Sequence, residues 1–168
     1  MIPKIKKILY ATDLSENSSY AFRYALDLAQ WREAKIVILH AIEPVPGSVV
    51  RRFGTVGRET EEQRQKETVE LIKTRLREFC KNMEVQMGPR CPKLISDILV
   101  STGHAAEEIL STADEKECDL IVLGTHGKGF LAHTFLGSVA SAVLHRTRKP
   151  VFIIPLPSSN TAVNEDGI

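Results

Sequence analysis

Short apolar runs alternate with longer amphipathic segments along most of the chain. A short run of consecutive apolar residues, with no polar residue at alternate positions, is typical of a strand buried on both faces of a parallel sheet. A less distinct strand is placed at 98–101, beginning near Ile95. Together with this strand, four more distinct apolar runs lie at 7–11, 35–40, 119–123 and 151–154. The pattern therefore predicts five strands.

The segments between the strands carry apolar residues three and four positions apart, which is the period of an amphipathic helix. In the last segment, Val139, Ala140, Val143 and Leu144 are expected to form the buried face. Strands that alternate with helices build a parallel sheet with helices on both faces. The predicted fold is therefore a single-domain, Rossmann-like α/β three-layer sandwich. Its helices are expected from Ser15 or Ser18 to about Trp31, from Arg58 to Met83, from His104 to Lys116, and from Ser138 to the residues before Pro150.

Two stretches fall outside this alternation. From Ala41 to about Gly57 the chain is rich in proline and glycine and carries Arg51 and Arg52, with Arg58 directly after it. A connection of this length is expected to be functional or mobile. Residues 158–168 are polar and are predicted to form a disordered tail, which leaves 1–157 as the domain.

Composition narrows the classes of function. The chain has 22 basic and 21 acidic residues, so its charge gives no argument for a nucleic-acid partner. No apolar run approaches the ~20 residues of a membrane helix, and the N-terminal apolar run is too short for a signal peptide. The three cysteines include no Cys-x-x-Cys pair, which disfavours a disulfide framework or a zinc site. We expect a cytoplasmic protein with neither nucleic acid nor membrane as its partner.

The most specific signal is a glycine-rich stretch that follows the fourth strand. Two residues separate Gly124 from Gly127, and nine more, 128–136, precede Gly137 and Ser138. Glycines let the backbone approach an anion closely, and the first amides of a helix lack internal partners and attract negative charge. The stretch predicts phosphate binding, to which Gly137 would add an unshielded amide and Ser138 a hydroxyl. The alternative is that the glycines only form turns and cap the helix.

The end of the first strand is expected to complete this site. In an open parallel sheet the ligand lies beyond the carboxyl ends of the strands, where the strand order reverses. If the strand order is 3-2-1-4-5, that point lies between the first and fourth strands and brings Ala11, Thr12 and Asp13 beside the glycine loop. Because a carboxylate repels phosphates, Asp13 is expected either to accept hydrogen bonds from ribose hydroxyls or to share Mg²⁺ with the phosphates. Alternatively, Asp13 caps the first helix alongside Ser15.

The spacing G-x2-G-x9-G-S, with Val139 after it, resembles the ATP-binding signature of the universal stress protein family. The similarity extends from Lys7 to about Pro155 and includes Ala11-Thr12-Asp13, Leu39-His40, and Gly103 ahead of a helix. This resemblance implies the strand order 3-2-1-4-5. It also implies a homodimer formed by edge-to-edge pairing of the fifth strands, here residues 151–155.

The resemblance also implies which residues meet the nucleotide. Relatives usually carry a β-branched residue at Ala41 whose backbone contacts adenine, and alanine keeps that contact while reducing the apolar one. Lys128 stands where relatives often have arginine, so it keeps the charge without the bidentate fork. His126 either donates to a phosphate or is an ordinary loop residue, and Leu123 either lines the pocket or belongs to the core. The expected site residues are Ala11, Thr12, Asp13, Ala41, Leu123, Gly124, His126, Gly127, Lys128, Gly137, Ser138 and Val139, whereas His40 and His104 are expected to be structural.

Three functions stay open at this point. The first is a regulatory stress-response module that binds ATP or AMP and acts on an unknown protein partner. The second is a slow Mg²⁺-dependent ATPase, although the sequence offers no clear base and only Arg51, Arg52 or Arg58 as a mobile source of positive charge. The third is a partner-binding dimer without nucleotide, which the intact glycine signature disfavours.

Overall fold

The structure of the protein is a computed structural model that describes residues 3–15, 18–44, 58–125 and 136–155. Within the helix that begins at Arg58, side chains are described from Glu62 onward. The predicted loop at 45–57 and the predicted tail at 158–168 lie outside the described residues. In chain order the elements are β1 Lys7–Ala11, α1 Ser18–Arg32, β2 Lys35–Ile42, α2 Arg58–Met87, α3 Cys91–Leu94, β3 Ile95–Thr102, α4 Ala105–Glu115, β4 Leu120–Gly124, α5 Ser138–Arg146 and β5 Val151–Ile154.

The strands form one parallel sheet in the order β3-β2-β1-β4-β5. The central strand is β1, where Leu9 pairs with Val37 of β2 on one side and with Ile121 of β4 on the other. The chain therefore moves outward in one direction from β1 to β3 and in the other from β4 to β5. This confirms the predicted α/β fold and strand order, and it places the reversal between β1 and β4.

Successive residues of each strand point into two separate apolar cores. On one face, Ile8 and Tyr10 pack with residues of α1 and α2, including Phe22 and Leu76. On the other face, Leu9 and its neighbours pack with α4 and α5. Each fully buried side chain of this size contributes about 1.5–3 kcal/mol of burial free energy. Helices therefore cover both faces, as the three-layer prediction requires.

Strand pairing extends β2 further than its apolar run predicted. Ala41 and Ile42 pair with Ser101 and Thr102 of β3, so β2 ends at Ile42. The prediction that a loop begins at Ala41 is therefore wrong. Sequence periodicity misses these residues because the ladder of backbone hydrogen bonds, and not side-chain burial, continues the strand there.

Four further details differ from the prediction. The turn expected around Pro92 contains a short helix, α3, and α2 continues past Met83 to Met87. The last helix stops at Arg146, because Thr147 adopts an extended conformation. Leu144 is 43% exposed, so its assignment to the buried face was wrong. It directly follows the buried Val143, which places it about 100° further around the helix and outside the apolar stripe.

Among the described helices, none is both long enough and apolar enough to cross a lipid bilayer. The longest, α2, has charged residues throughout its length.

Candidate functional site

A cavity of about 520 Å³ lies at the carboxyl edge of the sheet. Its walls come from residues 10–13 at the end of β1, 39–43 at the end of β2, and 123–125 at the end of β4. The first residues of α5 and part of α4 close the remaining sides. Ligand pockets commonly have about 300–1,000 Å³. The cavity therefore has the size of a ligand site and occupies the point where the strand order reverses.

Nine of the twelve residues expected from the sequence line this cavity. They come from stretches more than a hundred residues apart in the chain, at 11–13 and 137–139. The other three, His126, Gly127 and Lys128, lie outside the described residues, as do Arg51 and Arg52. The nine that the structure brings together are Ala11, Thr12, Asp13, Ala41, Leu123, Gly124, Gly137, Ser138 and Val139.

The turn after β1 holds Asp13 in a defined orientation. Leu14 has a φ of 58°, a left-handed conformation that is unfavourable for a residue with a Cβ atom. The turn is stabilised by the Leu14 amide, which donates to Thr12 Oγ1 at 3.1 Å, and by the Ser15 amide, which donates to Asp13 Oδ1 at 3.0 Å. The Ser18 hydroxyl also donates to Asp13 Oδ1, at 3.2 Å. Asp13 therefore organises the start of α1 and lines the cavity at the same time.

His40 belongs to the same wall. It is 7% exposed, and its Nδ1 lies 2.8 Å from the carbonyl oxygen of Thr12. A carbonyl can only accept, so Nδ1 carries the proton. The Thr12 amide in turn donates to the carbonyl oxygen of Leu39 at 2.9 Å. From the sequence, His40 was expected to be only structural, yet it also lines the cavity; its position near the carboxyl end of a buried parallel strand is the signal that could have placed it there.

The start of α5 differs from the expectation in one respect. The Gly137 amide donates to the carbonyl oxygen of Thr125 at 2.6 Å, so the prediction that it is unshielded is wrong. Gly137 is the N-cap of α5, and its carbonyl accepts from the Ser141 amide at 2.9 Å. By their position in the helix, the amides of Ser138 and Val139 have no acceptor within α5. They are therefore the amides that α5 can offer to an anion.

The charged side chains that line the described part of the cavity, Asp13 and Glu43, are both acidic. Within that part, the positive character comes from the backbone at the start of α5. Tyr10 also lines the cavity and donates to the carbonyl oxygen of Ser18 at 2.6 Å. Burial raises the pKa of the Tyr10 hydroxyl, which therefore stays neutral at pH 7. The described residues contain no cluster of three His, Cys, Asp or Glu side chains suited to a metal ion.

Another part of the cavity lining is apolar. Leu39, Ala41, Ile109 and Leu123 line it, together with Ala105 at the start of α4. Leu123 is also a member of the buried core between the sheet and α4 and α5. Its two predicted roles, core residue and cavity wall, therefore coexist. A ligand with one flat apolar part and one anionic part matches the two sides of the cavity.

Comparison with protein families gives a match between residues 4–155 and the model of the universal stress protein family. Universal stress protein MJ0577 of Methanocaldococcus jannaschii is 28% identical over 92% of this chain and 97% of that protein. A universal stress protein of Thermus aquaticus, from the QAH/OAS sulfhydrylase 3′ region, is 32% identical over 89% of this chain and 98% of that protein.

Solved structures of similar fold agree with this match. The structure of MJ0577 has a TM-score of 0.72 and 28% identity, and the alignment covers 94% of this chain and all of MJ0577. A universal stress protein in complex with cAMP has a TM-score of 0.54 and 22% identity, over 91% of this chain and 98% of that protein. The universal stress protein from Archaeoglobus fulgidus in complex with dAMP has a TM-score of 0.51 and 22% identity, over 90% of this chain and 99% of that protein.

Proposed function

This chain belongs to the universal stress protein family, and on that premise we propose that its cavity binds an adenine nucleotide, ATP or AMP, as the ligand of a regulatory protein. One observation carries the proposal. A single cavity joins the turn of Thr12 and Asp13 to the first residues of α5, Ser138 and Val139. This arrangement offers acceptors for sugar hydroxyls next to amides for a phosphate.

The two sides of the cavity determine how the nucleotide lies. Its phosphates lie against the amides of Ser138 and Val139, next to Gly124 and Gly137 in the cavity wall. Because β1 separates β2 from β4 in the sheet, the base then lies toward β2. The apolar residues Leu39, Ala41 and Ile109 are on that side and pack against a flat heterocycle.

Asp13 lies between these two ends. Its Oδ1 already accepts from Ser15 and Ser18, which fixes the plane of the carboxylate. In that orientation it accepts from ribose hydroxyls, or it shares Mg²⁺ with the phosphates when ATP is bound. A shared Mg²⁺ would neutralise the repulsion between the carboxylate and a phosphate, whereas the ribose role keeps the carboxylate on the sugar and away from the phosphates.

Two relatives support the class of ligand. The proteins described in complex with cAMP and with dAMP share this fold, and both ligands contain adenine, a sugar and one phosphate. The apolar residues of the cavity are suited to hold an adenine base, and the amides at the start of α5 are suited to hold a phosphate.

We further propose that the protein is a cytoplasmic homodimer. β5 is an edge strand of the sheet, and such an edge offers unpaired backbone groups to a second strand. Within this strand, Phe152 is 41% exposed and packs edge-on against Tyr24, with ring centroids 6.4 Å apart. Pairing of residues 151–155 with a second copy would cover this aromatic surface. The three cysteines are free, which suits a reducing compartment.

Isothermal titration calorimetry with AMP, and with ATP in the presence and absence of Mg²⁺, tests the nucleotide proposal. We expect one nucleotide bound per chain. Mass spectrometry of small molecules released from the denatured protein provides an independent check, because a nucleotide retained through purification would be identified directly. No binding of either nucleotide at millimolar concentration would overturn the proposal.

A further inference from the structure

Glu43 is an exposed residue at the β2 side of the cavity. Glu43 directly follows β2 and lines the cavity. The preceding carbonyl, of Ile42, accepts from the Gly103 amide at 3.0 Å, which fixes the backbone at the end of β2. Glu43 Oε1 accepts from the Ala105 amide at 3.3 Å, at the start of α4. The carboxylate is therefore held across the gap between β2 and α4.

This carboxylate lies beside an apolar wall. Ala41, Ala105 and Ile109 line the same side of the cavity. The other described polar side chain on that side, His40, directs its Nδ1–H toward the carbonyl oxygen of Thr12. Glu43 is thus placed to meet the polar edge of a flat ligand whose faces contact the apolar residues. A carboxylate is a strong acceptor and offers no proton, so it discriminates between donors and acceptors on that edge.

We infer that Glu43 selects nucleobases that carry an exocyclic amino group, and so distinguishes adenine from hypoxanthine. The inference rests on the proposed function, in which phosphates at α5 direct the base toward β2. The amino group of adenine donates to the carboxylate. The oxo group at the same position of hypoxanthine is an acceptor and is repelled by it. The residue therefore determines base specificity and takes no part in holding the phosphate.

A purely structural role for Glu43 makes a different prediction. Glu43 also satisfies an amide at the start of α4, where a negative charge is favourable. Glu43→Gln keeps an oxygen that can accept from Ala105, but its terminal NH₂ can also donate to an oxo group. The substitution therefore preserves the contact with α4 while removing the preference for a donor on the base. Glu115→Gln is the matched control, because it makes the same change at an exposed position near the other end of α4.

The experiment measures the affinities of AMP and of inosine monophosphate for the wild-type protein and both variants by calorimetry. These ligands have the same ribose and phosphate and differ in the base. We expect the wild-type protein and Glu115→Gln to bind AMP about tenfold more tightly than inosine monophosphate, since a hydrogen bond to a charged group contributes a factor of this order. In Glu43→Gln the two affinities should become nearly equal, while thermal unfolding shows that the protein is still folded.

Three results would overturn the inference. If the wild-type protein binds AMP and inosine monophosphate equally, the base is not selected, although nucleotide binding itself stands. If Glu43→Gln keeps the full preference, another group reads the base. If the wild-type protein binds neither ligand at millimolar concentration, the proposed function fails and the inference fails with it.

Discussion

The imidazole Nδ1 of His40, on β2, donates a hydrogen bond to the carbonyl oxygen of Thr12, at a distance of 2.8 Å. Thr12 lies just beyond the end of β1. The same two strands are joined by the Thr12 amide, which donates to the carbonyl oxygen of Leu39. These bonds fix the backbone immediately before Asp13. A buried histidine in the cavity wall thus fixes the backbone that positions the acidic residue after Thr12.

We predict that His40→Ala lowers the free energy of unfolding by about 1–3 kcal/mol, the cost of leaving a buried acceptor unsatisfied. It should also weaken AMP binding, because the turn that carries Asp13 loses its anchor. His40→Asn places an N–H near the position of Nδ1, whereas His40→Gln places one near Nε2, so Asn should restore more stability and more affinity than Gln. Urea unfolding and calorimetry measure both quantities. Equal behaviour of the Asn and Gln variants would contradict this role.

Asp13→Asn separates the two roles of that side chain. The amide oxygen can still accept from the Ser15 amide and the Ser18 hydroxyl, so the turn should persist. Asp13→Ala removes both bonds and should cost about 1 kcal/mol, as the loss of a helix-capping side chain does. If the carboxylate shares Mg²⁺ with the phosphates, the metal should strengthen ATP binding to the wild-type protein and not to Asp13→Asn. Calorimetry with and without Mg²⁺ measures this, and an unchanged Mg²⁺ effect in the Asn variant would exclude that role.

Gly137→Val is expected to abolish nucleotide binding without unfolding the protein. Gly137 has a φ of −66° and a ψ of 160°, which a valine can adopt, and its amide would still donate to Thr125. Because Gly137 lines the cavity, the added valine side chain is expected to block the close approach of a phosphate.

A second glycine provides the control for that substitution. Gly88 has a φ of 91° and lies outside the cavity, so Gly88→Ala should lower stability by about 1 kcal/mol while leaving AMP binding intact. Calorimetry and thermal unfolding on both variants give the comparison. Full AMP affinity in Gly137→Val would show that the start of α5 does not meet the ligand.

Phe152→Asp should convert the proposed dimer into a monomer. A charge at this half-exposed position of the edge strand repels its symmetry mate and removes the contact with Tyr24. Trp31→Asp is the control, because Trp31 is 82% exposed but belongs to α1 and not to the edge strand. Light scattering coupled to gel filtration gives the masses. The prediction fails if the wild-type protein is a monomer, or if both variants remain dimers.

The thiols of Cys80, which is half-buried, and Cys118, which is buried, predict how stability depends on alkaline pH. Burial raises the pKa of Cys80 and of Cys118 to about 11, from an ordinary value of 9.0. The unfolded chain therefore releases these protons at lower pH than the folded chain does. Their contribution to stability is complete below pH 9 and is lost as the pH rises toward 11.

Urea unfolding at pH 8 and pH 10.5 tests this, with the variant in which Cys80 and Cys118 are both alanine as the reference. The free energy of unfolding of the wild-type protein should fall more steeply between these values than that of the variant. Equal slopes would mean that the thiols titrate alike in the folded and unfolded states. At pH 7 both thiols are neutral in the folded protein, and slow reaction with a thiol reagent gives a second readout.

The sequence was sufficient for the fold because its strongest signals are local. The runs at 7–11 and 151–154 became strands with those bounds, because consecutive apolar residues fill 8–11 and 151–154 and prolines flank the second run. The strand order came from the family resemblance, because side-chain periodicity carries no information on which strands are neighbours.

The details that could not be predicted depend on partners distant in the chain. Ala41 continues β2 because Ser101 lies beside it, and the Gly137 amide is occupied because Thr125 lies within reach. His40 and Glu43 joined the candidate site for the same reason. Their contacts, to Thr12 and Ala105, cross from one strand to the end of another and from a strand to a helix. A residue's own type and its immediate neighbours do not specify such contacts.

The central claim is that one nucleotide occupies the cavity between the end of β1 and the start of α5. Nuclear magnetic resonance of the ¹⁵N-labelled protein during titration with AMP tests it residue by residue. We expect large shifts of the amide signals of Thr12, Asp13, Ser138 and Val139, with saturation at one AMP per chain. Shifts confined to residues outside the cavity, or no shifts at millimolar AMP, would contradict it.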